Sequence, residues 1–386
     1  MLKSLTLENF TVFKSSQLQF GKHLNVFVGE NGSGKTHVLK AAYCAIAASA
    51  TSKMGWGEEG LAQVSKLSQG KSSFPFGGPP GPRQGRGDSP SVLYDLRSKF
   101  TGVFRPDSLG HLVRRGSDHA RLAFQFDDSQ FDLDVSIAEG DQIPNALRVA
   151  NEVVAGFTKR PVFLPSRELL TIYPNFVSLY ESSHIPFEET WRDTCILLGQ
   201  PYLREVHPGA IQRILKQLAA AMKGRVVLGE RGKFYLELPD GPMEMDLVPE
   251  GYRKLAMIAQ LASNGALGAG GFLFWDEPEA NLNPKLIKKL APIIFAIAQV
   301  GVQVFVASHS LFLLRELDIL HHSKHLKMDV RYFGLRPSTA GGIAVRQGPD
   351  LDSIGSIAAL DEELLQTDRY LKLDFDSAAV ELGDVE

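Results

Sequence analysis

The sequence predicts an α/β fold built on a largely parallel sheet, and three observations carry that prediction. Short apolar runs at 24–28, 271–275 and 302–307 read as buried strands, being brief, rich in Val and Phe and bounded by turn-forming residues. Helix-forming segments at 38–50, 251–263 and 284–299 alternate with them, and strand–helix alternation marks a parallel core. Residues 2–28 open differently, with apolar and polar β-formers in alternation, so two or three strands ending at 28 start the chain.

Between these ends lies a long insertion. From 67 to 90, eleven of twenty-four residues are Gly or Pro, leaving too little apolar surface to order a packed segment, and the reading is a mobile loop. Strand patterns resume at 120–126, 131–137 and 161–164. Residues 176–223 are mostly helical in pattern, 211–222 being the clearest amphipathic piece. A small meander follows at 225–228, 233–238 and 243–247, with turns near Glu230-Arg231-Gly232 and Pro239-Asp240-Gly241-Pro242. The expected division is a discontinuous core, 1–50 plus 241–345, an insertion over 51–240 holding the loop and a helical lobe at 176–223, and an acidic tail over 346–386.

A length of 386 residues allows two or three packed units. With 44% apolar and 22% charged residues the chain is neither globally disordered, nor a collagen-like rod, nor a long coiled coil. Two cysteines, Cys44 and Cys195, allow at most one disulfide and no metal cluster, which points to a reducing, cytoplasmic setting. The first ten residues alternate like a strand rather than forming a secretory leader. The most apolar stretch, 291–307, is interrupted by Gln299, Gly301 and Gln303 and falls short of the ~20 apolar residues of a membrane span. A soluble protein with no membrane partner is expected. The net charge of −3 conceals a polarity, because residues 51–116 hold ten Lys/Arg against five acids while 350–386 hold eleven acids against Arg369 and Lys372. The basic region either concentrates a phosphate-bearing partner such as nucleic acid or is a solvated face. The acidic tail either covers such a surface or is itself merely solvated.

Three segments carry chemistry. Gly29-Glu30-Asn31-Gly32-Ser33-Gly34-Lys35-Thr36 fits G-x-x-x-x-G-K-[ST], with a buried strand before it and a helix-forming run after it. Its glycines let consecutive N–H groups turn around phosphate oxygens at a helix N-terminus. Lys35 is placed to reach the β- and γ-phosphates and the Thr36 hydroxyl to ligate Mg²⁺. The second element lies 241 residues after Lys35, where the apolar run 272–275 ends in Asp276 and Glu277. Ligands gather at the carboxyl ends of strands in α/β sheets. Asp276 suits Mg²⁺, directly or through water, and Glu277 suits a general base that orients an attacking water. The third is His309, 32 residues after Glu277 in Val306-Ala307-Ser308-His309-Ser310. Ending another apolar strand, it suits a γ-phosphate sensor, against the plainer alternative of a structural histidine.

In this order the three segments resemble the ABC-type ATPases, specifically the non-transporter branch that includes SMC, RecF and the OLD-like ATPases. The opening Leu7-Glu8-Asn9-Phe10, then Phe20-Gly21 with Leu24-Asn25-Val26, then Gly29 to Thr36 is similar to the start of that branch. Asp276-Glu277-Pro278-Glu279-Ala280-Asn281-Leu282-Asn283-Pro284 is similar to its Walker B and D-loop, which adds Asn281 to the nucleotide-contacting set, and 307–310 to its H-loop. The resemblance covers roughly 1–40 and 245–312. It implies a P-loop ABC-ATPase core with a mixed, mostly parallel sheet, antiparallel N-terminal strands and a helical insertion lobe. It also implies ATP and Mg²⁺, and a head-to-tail pair of subunits sandwiching two ATP molecules. The family's signature segment, which meets the γ-phosphate of the opposite subunit's ATP, is best matched by Val248-Pro249-Glu250-Gly251-Tyr252. Gly251 keeps the close-approach glycine, whereas Pro249 replaces the usual serine and Glu250 adds a carboxylate. Leu164-Pro165-Ser166-Arg167-Glu168 resembles a stretch of OLD-like ATPases in which Arg167 or Ser166 would sense phosphate, the alternative being a strand exit with a surface ion pair.

Two functions of different class follow. In the first, ATP closes a dimer and Glu277-directed hydrolysis reopens it, gating a partner in DNA repair or antiviral defence. In the second, the chain is a low-turnover, nucleotide-locked sensor or scaffold that holds a separate effector such as a nuclease. Only 77 residues follow His309, too few for a fused TOPRIM nuclease. The ATPase of a membrane transporter ranks last, because the long insertion and the Asp-Glu-Pro-Glu-Ala-Asn run sit badly with it.

Overall fold

A computed structural model describes residues 1–51, 92–140, 147–150, 156–183, 185–203, 209–229, 232–323, 328–339 and 341–383. The Gly/Pro-rich segment 67–90, with Arg83 and Arg86, and the turn residues Glu230 and Arg231 lie outside the described residues.

Two sheets organise the chain. The first is antiparallel, in the order β2-β1-β4-β5-β6, from β1 (Leu2–Phe10), β2 (Phe13–Gln19), β4 (His119–Phe126), β5 (Leu133–Ala138) and β6 (Leu147–Val149). Alternation along these strands turns Leu5, Leu7, Leu122, Phe124, Val135 and Ile137 into one buried face. The second sheet has six strands in the order β14-β13-β3-β12-β11-β7. In it β3 (Leu24–Gly29), β7 (Val162–Leu164), β11 (Phe272–Asp276), β12 (Gln303–Ser308) and β13 (Val330–Pro337) run parallel, and β14 (Ile343–Gly348) is antiparallel to β13.

Both faces of the second sheet are covered, which is why its central strands carry apolar residues on both faces rather than at alternate positions, with the buried Asn25 of β3 hydrogen-bonded to Gly21. One face presents Phe27, Phe163, Phe274, Phe305 and Phe333 to α1 (Lys35–Thr51), α2 (Val92–Phe104) and the antiparallel sheet. Phe163, Phe274 and Phe305 stack across three adjacent strands at ring spacings of 6.4 and 4.8 Å. The other face presents Val26, Val28, Trp275, Val304 and Val306 to a helical layer. That layer comprises α3 (Tyr173–Ser182), α4 (Glu189–Leu198), α5 (Gly209–Met222), α6 (Glu250–Ser263), α7 (Pro284–Gln299) and α8 (Leu311–His322). The meander is a separate sheet of β8 (Arg225–Leu228), β9 (Phe234–Leu238) and β10 (Gly241–Glu244), and α9 (Ala358–Gly383) ends the chain.

Three features add to the sequence reading. Strands within residues 51–240 join both sheets. An open edge on β1 would leave its backbone groups unpaired, and β4 fills that edge while β7 extends the central sheet. The central sheet also runs past 345, because β14 pairs with β13 through Gly348. Finally, Lys99 is not part of a basic surface. It lies on α2, packed along α1, where its buried Nζ donates to Glu189 Oε1 at 2.7 Å and Asp193 Oδ2 at 2.6 Å.

Candidate functional site

The loop 29–36 joins the carboxyl end of β3 to the first residue of α1, so the helix N-terminus opens onto it. A Cβ at Gly29 would lie 2.6 Å from both Leu335 O and Ser33 Oγ. Gly34 sits at φ +91°, where a Cβ would also strike Val12 and Phe13 of the β1–β2 turn at 2.7–2.8 Å. Only glycine leaves room for this curvature. Asn31 and Gly32 form the exposed crest, and Ser33 Oγ is buried without a partner. Lys35, 6% exposed, spans the loop from inside, its Nζ donating to Gly29 O at 2.6 Å and Glu30 O at 2.9 Å. Burial lowers the lysine's pKa, against the opposing pull of Asp276, Glu277 and Glu279.

Parallel pairing of β3 with β12 and of β12 with β11 brings three strand ends to one edge. There Thr36 Oγ1 donates to Asp276 Oδ2 at 2.8 Å, closing a separation of 240 positions. Burial pushes the Asp276 carboxyl up to about 6, and its Oδ1 is buried without a partner. Glu277 adopts φ +48°, with its N–H donating to Ala307 O at 2.9 Å and its carboxylate Oε1 3.3 Å from His309 Nδ1. Thus Lys35, Thr36, Asp276, Glu277 and His309 converge. Beside Thr36, His37 Nδ1 lies 3.0 Å from Thr11 Oγ1, and burial drives the ring's pKa down to about 4. Among the described residues no group of three or more His, Cys, Asp or Glu is arranged to hold a metal. The hard oxygen donors Thr36 Oγ1 and Asp276 Oδ1 fit a magnesium ion that completes its shell from phosphate and water.

Two buried residues were not singled out in the sequence. Glu279 gathers the β12 exit, its Oε1 accepting from Ser308 Oγ at 2.7 Å and from the N–H groups of His309 and Ser310, both at 3.3 Å. Its place in the Asp-Glu-Pro-Glu run is the signal that could have found it. Lys254 reaches across from α6, and its Nζ donates to Ala280 O at 2.6 Å and more weakly to Glu277 O at 3.4 Å. Burial drives it down to about 8. No sequence signal marks it, since one lysine in an amphipathic helix reads as a surface residue.

Gly251 and Asn281 sit against each other rather than on the phosphate loop. A Cβ on Gly251 would lie 3.0–3.4 Å from Leu282, Leu286 and Asn281 O, so the glycine is closely packed within this one chain. Asn281, at φ +62°, donates from Nδ2 to Glu250 Oε1 at 2.7 Å. Pro249 caps α6 with no side-chain hydrogen bond. At the exit of β7, Arg167 is exposed and Ser166 half-buried. The ion pair of that segment is buried rather than superficial, between Glu168 Oε1 and Arg253 Nε of α6 at 3.0 Å. Among the described residues, no helix is long and apolar enough to cross a membrane.

A family profile described as "AAA domain, putative AbiEii toxin, Type IV TA system" matches residues 24–315. Among curated proteins the chain is 39% identical over 64 residues to the DNA replication and repair protein RecF of Macrococcus caseolyticus, covering 15% of this chain and 17% of that one. It is 43% identical over 42 residues to RecF of Streptococcus gordonii, covering 11% and 12%. The matches thus span less than a fifth of those relatives' length. Among solved structures, the SMC head domain from Thermotoga maritima is 13% identical at a TM-score of 0.45, over 89% of this chain and 97% of that one. The Smc head domain with an extended coiled coil, bound to the C-terminal domain of ScpA derived from Pyrococcus furiosus, is 13% identical at a TM-score of 0.48, over 95% and 99%.

Proposed function

Because this chain belongs to the family described as "AAA domain, putative AbiEii toxin, Type IV TA system", we propose that it binds and hydrolyses ATP with Mg²⁺ at residues 29–36 and couples the cycle to a separate partner. The observation that carries this reading is the 2.8 Å bond between Thr36 and Asp276, with Glu277 and His309 beside it on neighbouring strand ends. In this account the loop N–H groups of Asn31 to Lys35 hold phosphate oxygens, and Lys35 exchanges its loop carbonyls for the β- and γ-phosphates. Thr36 and Asp276 hold the magnesium ion, which when bound offsets charge on the phosphates. Glu277 orients water in line with the γ-phosphorus and takes its proton, and His309 fixes the carboxylate and meets the γ-phosphate.

Gly251 and Asn281 belong to a face that meets the nucleotide of a second, head-to-tail copy, and ATP-driven closure of that pair gates the partner. The family description names a toxin–antitoxin system, which supports a defence role and a partner encoded as a separate chain; a nuclease as that partner, or a role in repair, rests on the sequence resemblance alone. Glu277→Gln removes the base while keeping the fold, so the variant should accumulate an ATP-bound dimer in size-exclusion chromatography with Mg²⁺. A Glu277→Gln protein that stays monomeric contradicts the gating account.

One feature favours a low-turnover, nucleotide-locked scaffold instead. Pro249 supplies no hydroxyl at the start of α6, and Glu250, tied to Asn281, places a carboxylate where a second copy's phosphate would arrive. If the wild-type protein holds its ATP dimer as long as Glu277→Gln does, this second reading is the correct one.

A further inference from the structure

Lys254 is 1% exposed, on a helix whose neighbouring residues Leu255, Ala256, Met257 and Ile258 simply fill the core. Burying an ammonium there opposes its charged form, and an apolar side chain of similar length would pack without that cost. What the lysine touches is the turn that carries Glu277. That turn holds two non-glycine residues in the left-handed region, Glu277 at φ +48° and Asn281 at φ +62°, a conformation that persists only where the surroundings impose it. Lys254 Nζ takes the carbonyls of Ala280, at 2.6 Å, and Glu277, at 3.4 Å. On the opposite side Glu277 N–H is held by Ala307 O at 2.9 Å, and Ala280 N–H closes the turn on Glu277 O at 3.1 Å. The backbone of Glu277 is therefore held between β12 and α6, from which Lys254 reaches the carbonyls of Glu277 and Ala280 while Glu250 holds the Asn281 side chain.

We propose that Lys254 is a positioning residue for Glu277, clamping the 277–280 turn so that the carboxylate points at the attacking water. The proposal rests on Glu277 acting as the general base, as set out above. It also joins the helix that begins at Gly251 to the Glu277 turn of the same subunit, so a second copy arriving at Gly251 bears on the geometry of this subunit's base.

Lys254→Met, which keeps the unbranched stem to Cε and removes the ammonium, is the test, with Lys254→Gln returning a neutral N–H donor group. Steady-state hydrolysis, ATP affinity and thermal midpoint are measured for each, alone and combined with Glu277→Gln. For Lys254→Met the expected result is a kcat lower by about 10²-fold, from misplacement of the base, with KM and ATP affinity within about twofold of wild type. The melting temperature of Lys254→Met should fall by a few degrees as Ala280 O loses its donor, and Lys254→Gln should fall between Met and wild type. Glu277→Gln with Lys254→Met should hydrolyse no more slowly than Glu277→Gln alone, because both changes act through one group. A wild-type kcat in Lys254→Met overturns the proposal, as does an equal loss of ATP affinity or a further loss in the double variant. Should Lys254→Met fail to fold, a wild-type kcat in Lys254→Gln overturns it equally. If Glu277→Gln itself hydrolyses ATP at the wild-type rate, the reading of Glu277 falls. If only Glu277→Gln is slow, the role of Lys254 alone falls.

Discussion

Asp276→Asn should make the nucleotide-free protein more stable while removing its response to Mg²⁺ and ATP. In the folded chain the Asp276 carboxyl is held at about 6, against an ordinary value of 3.8, because burial opposes its charge. A carboxyl so displaced contributes stability that is fully present below pH 3.8 and is lost as pH rises through 6. The loss amounts to about 3 kcal/mol by pH 8. Asparagine carries no charge to desolvate, and its side-chain oxygen still accepts from Thr36 Oγ1. The variant and wild type should therefore melt together near pH 4 and separate by several degrees at pH 8, the variant higher. Adding ATP and Mg²⁺ should raise the wild-type midpoint and leave the variant's nearly unmoved, since ligand stabilises only what binds it. Thermal melts from pH 4 to 8, with and without nucleotide, read all of this. A variant that melts below wild type at pH 8, or a difference independent of pH, refutes the reasoning.

Other outcomes follow from the same geometry. His37, held neutral at about 4 instead of 6.5, makes the wild type lose up to about 3 kcal/mol as pH falls from 6.5 to 4, and His37→Gln should remove that acid sensitivity in the same melts. Glu279→Ala leaves Ser308 Oγ and the His309 N–H without their acceptor, a cost of about 1–3 kcal/mol visible in denaturant unfolding. If the basic segment meets nucleic acid, binding should weaken steeply with salt. Charge reversal at Arg83, Arg86, Arg114 and Arg115 should then flatten the log–log slope by about one for each phosphate no longer neutralised, and a flat slope in wild type rules out nucleic acid there.

The elements that position the site were legible because each is long or strongly patterned for its type. Helix 284–299, the strand expected at 302–307 and found at 303–308 after the Gly301 break, and the loop 29–36 follow what periodicity and turn chemistry indicate. The missed parts share a cause, which is that their residues acquire meaning only from distant partners. The helix Val92–Phe104 buries Lys99, whose counter-charges Glu189 and Asp193 lie about 90 positions away, so in sequence it read as basic surface. The pairing of β4 with β1 was hidden because nothing local reveals that β1 needs a second neighbour. Glu279 and Lys254 are a carboxylate and an ammonium inside the protein, and their single-residue patterns are those of solvated groups. By contrast the Thr36–Asp276 pair was readable across 240 positions, because each half carries its own strand-end motif.

Equilibrium titration of ATP and Mg²⁺ into wild-type and Lys35→Ala protein tests the central claim most directly. Lys35 Nζ donates to two loop carbonyls, which under the proposed function it exchanges for phosphate. The account predicts saturable, magnesium-dependent binding in wild type and a loss of at least about tenfold in Lys35→Ala, the value of one charge-assisted contact. Equal affinity in the two proteins would contradict it.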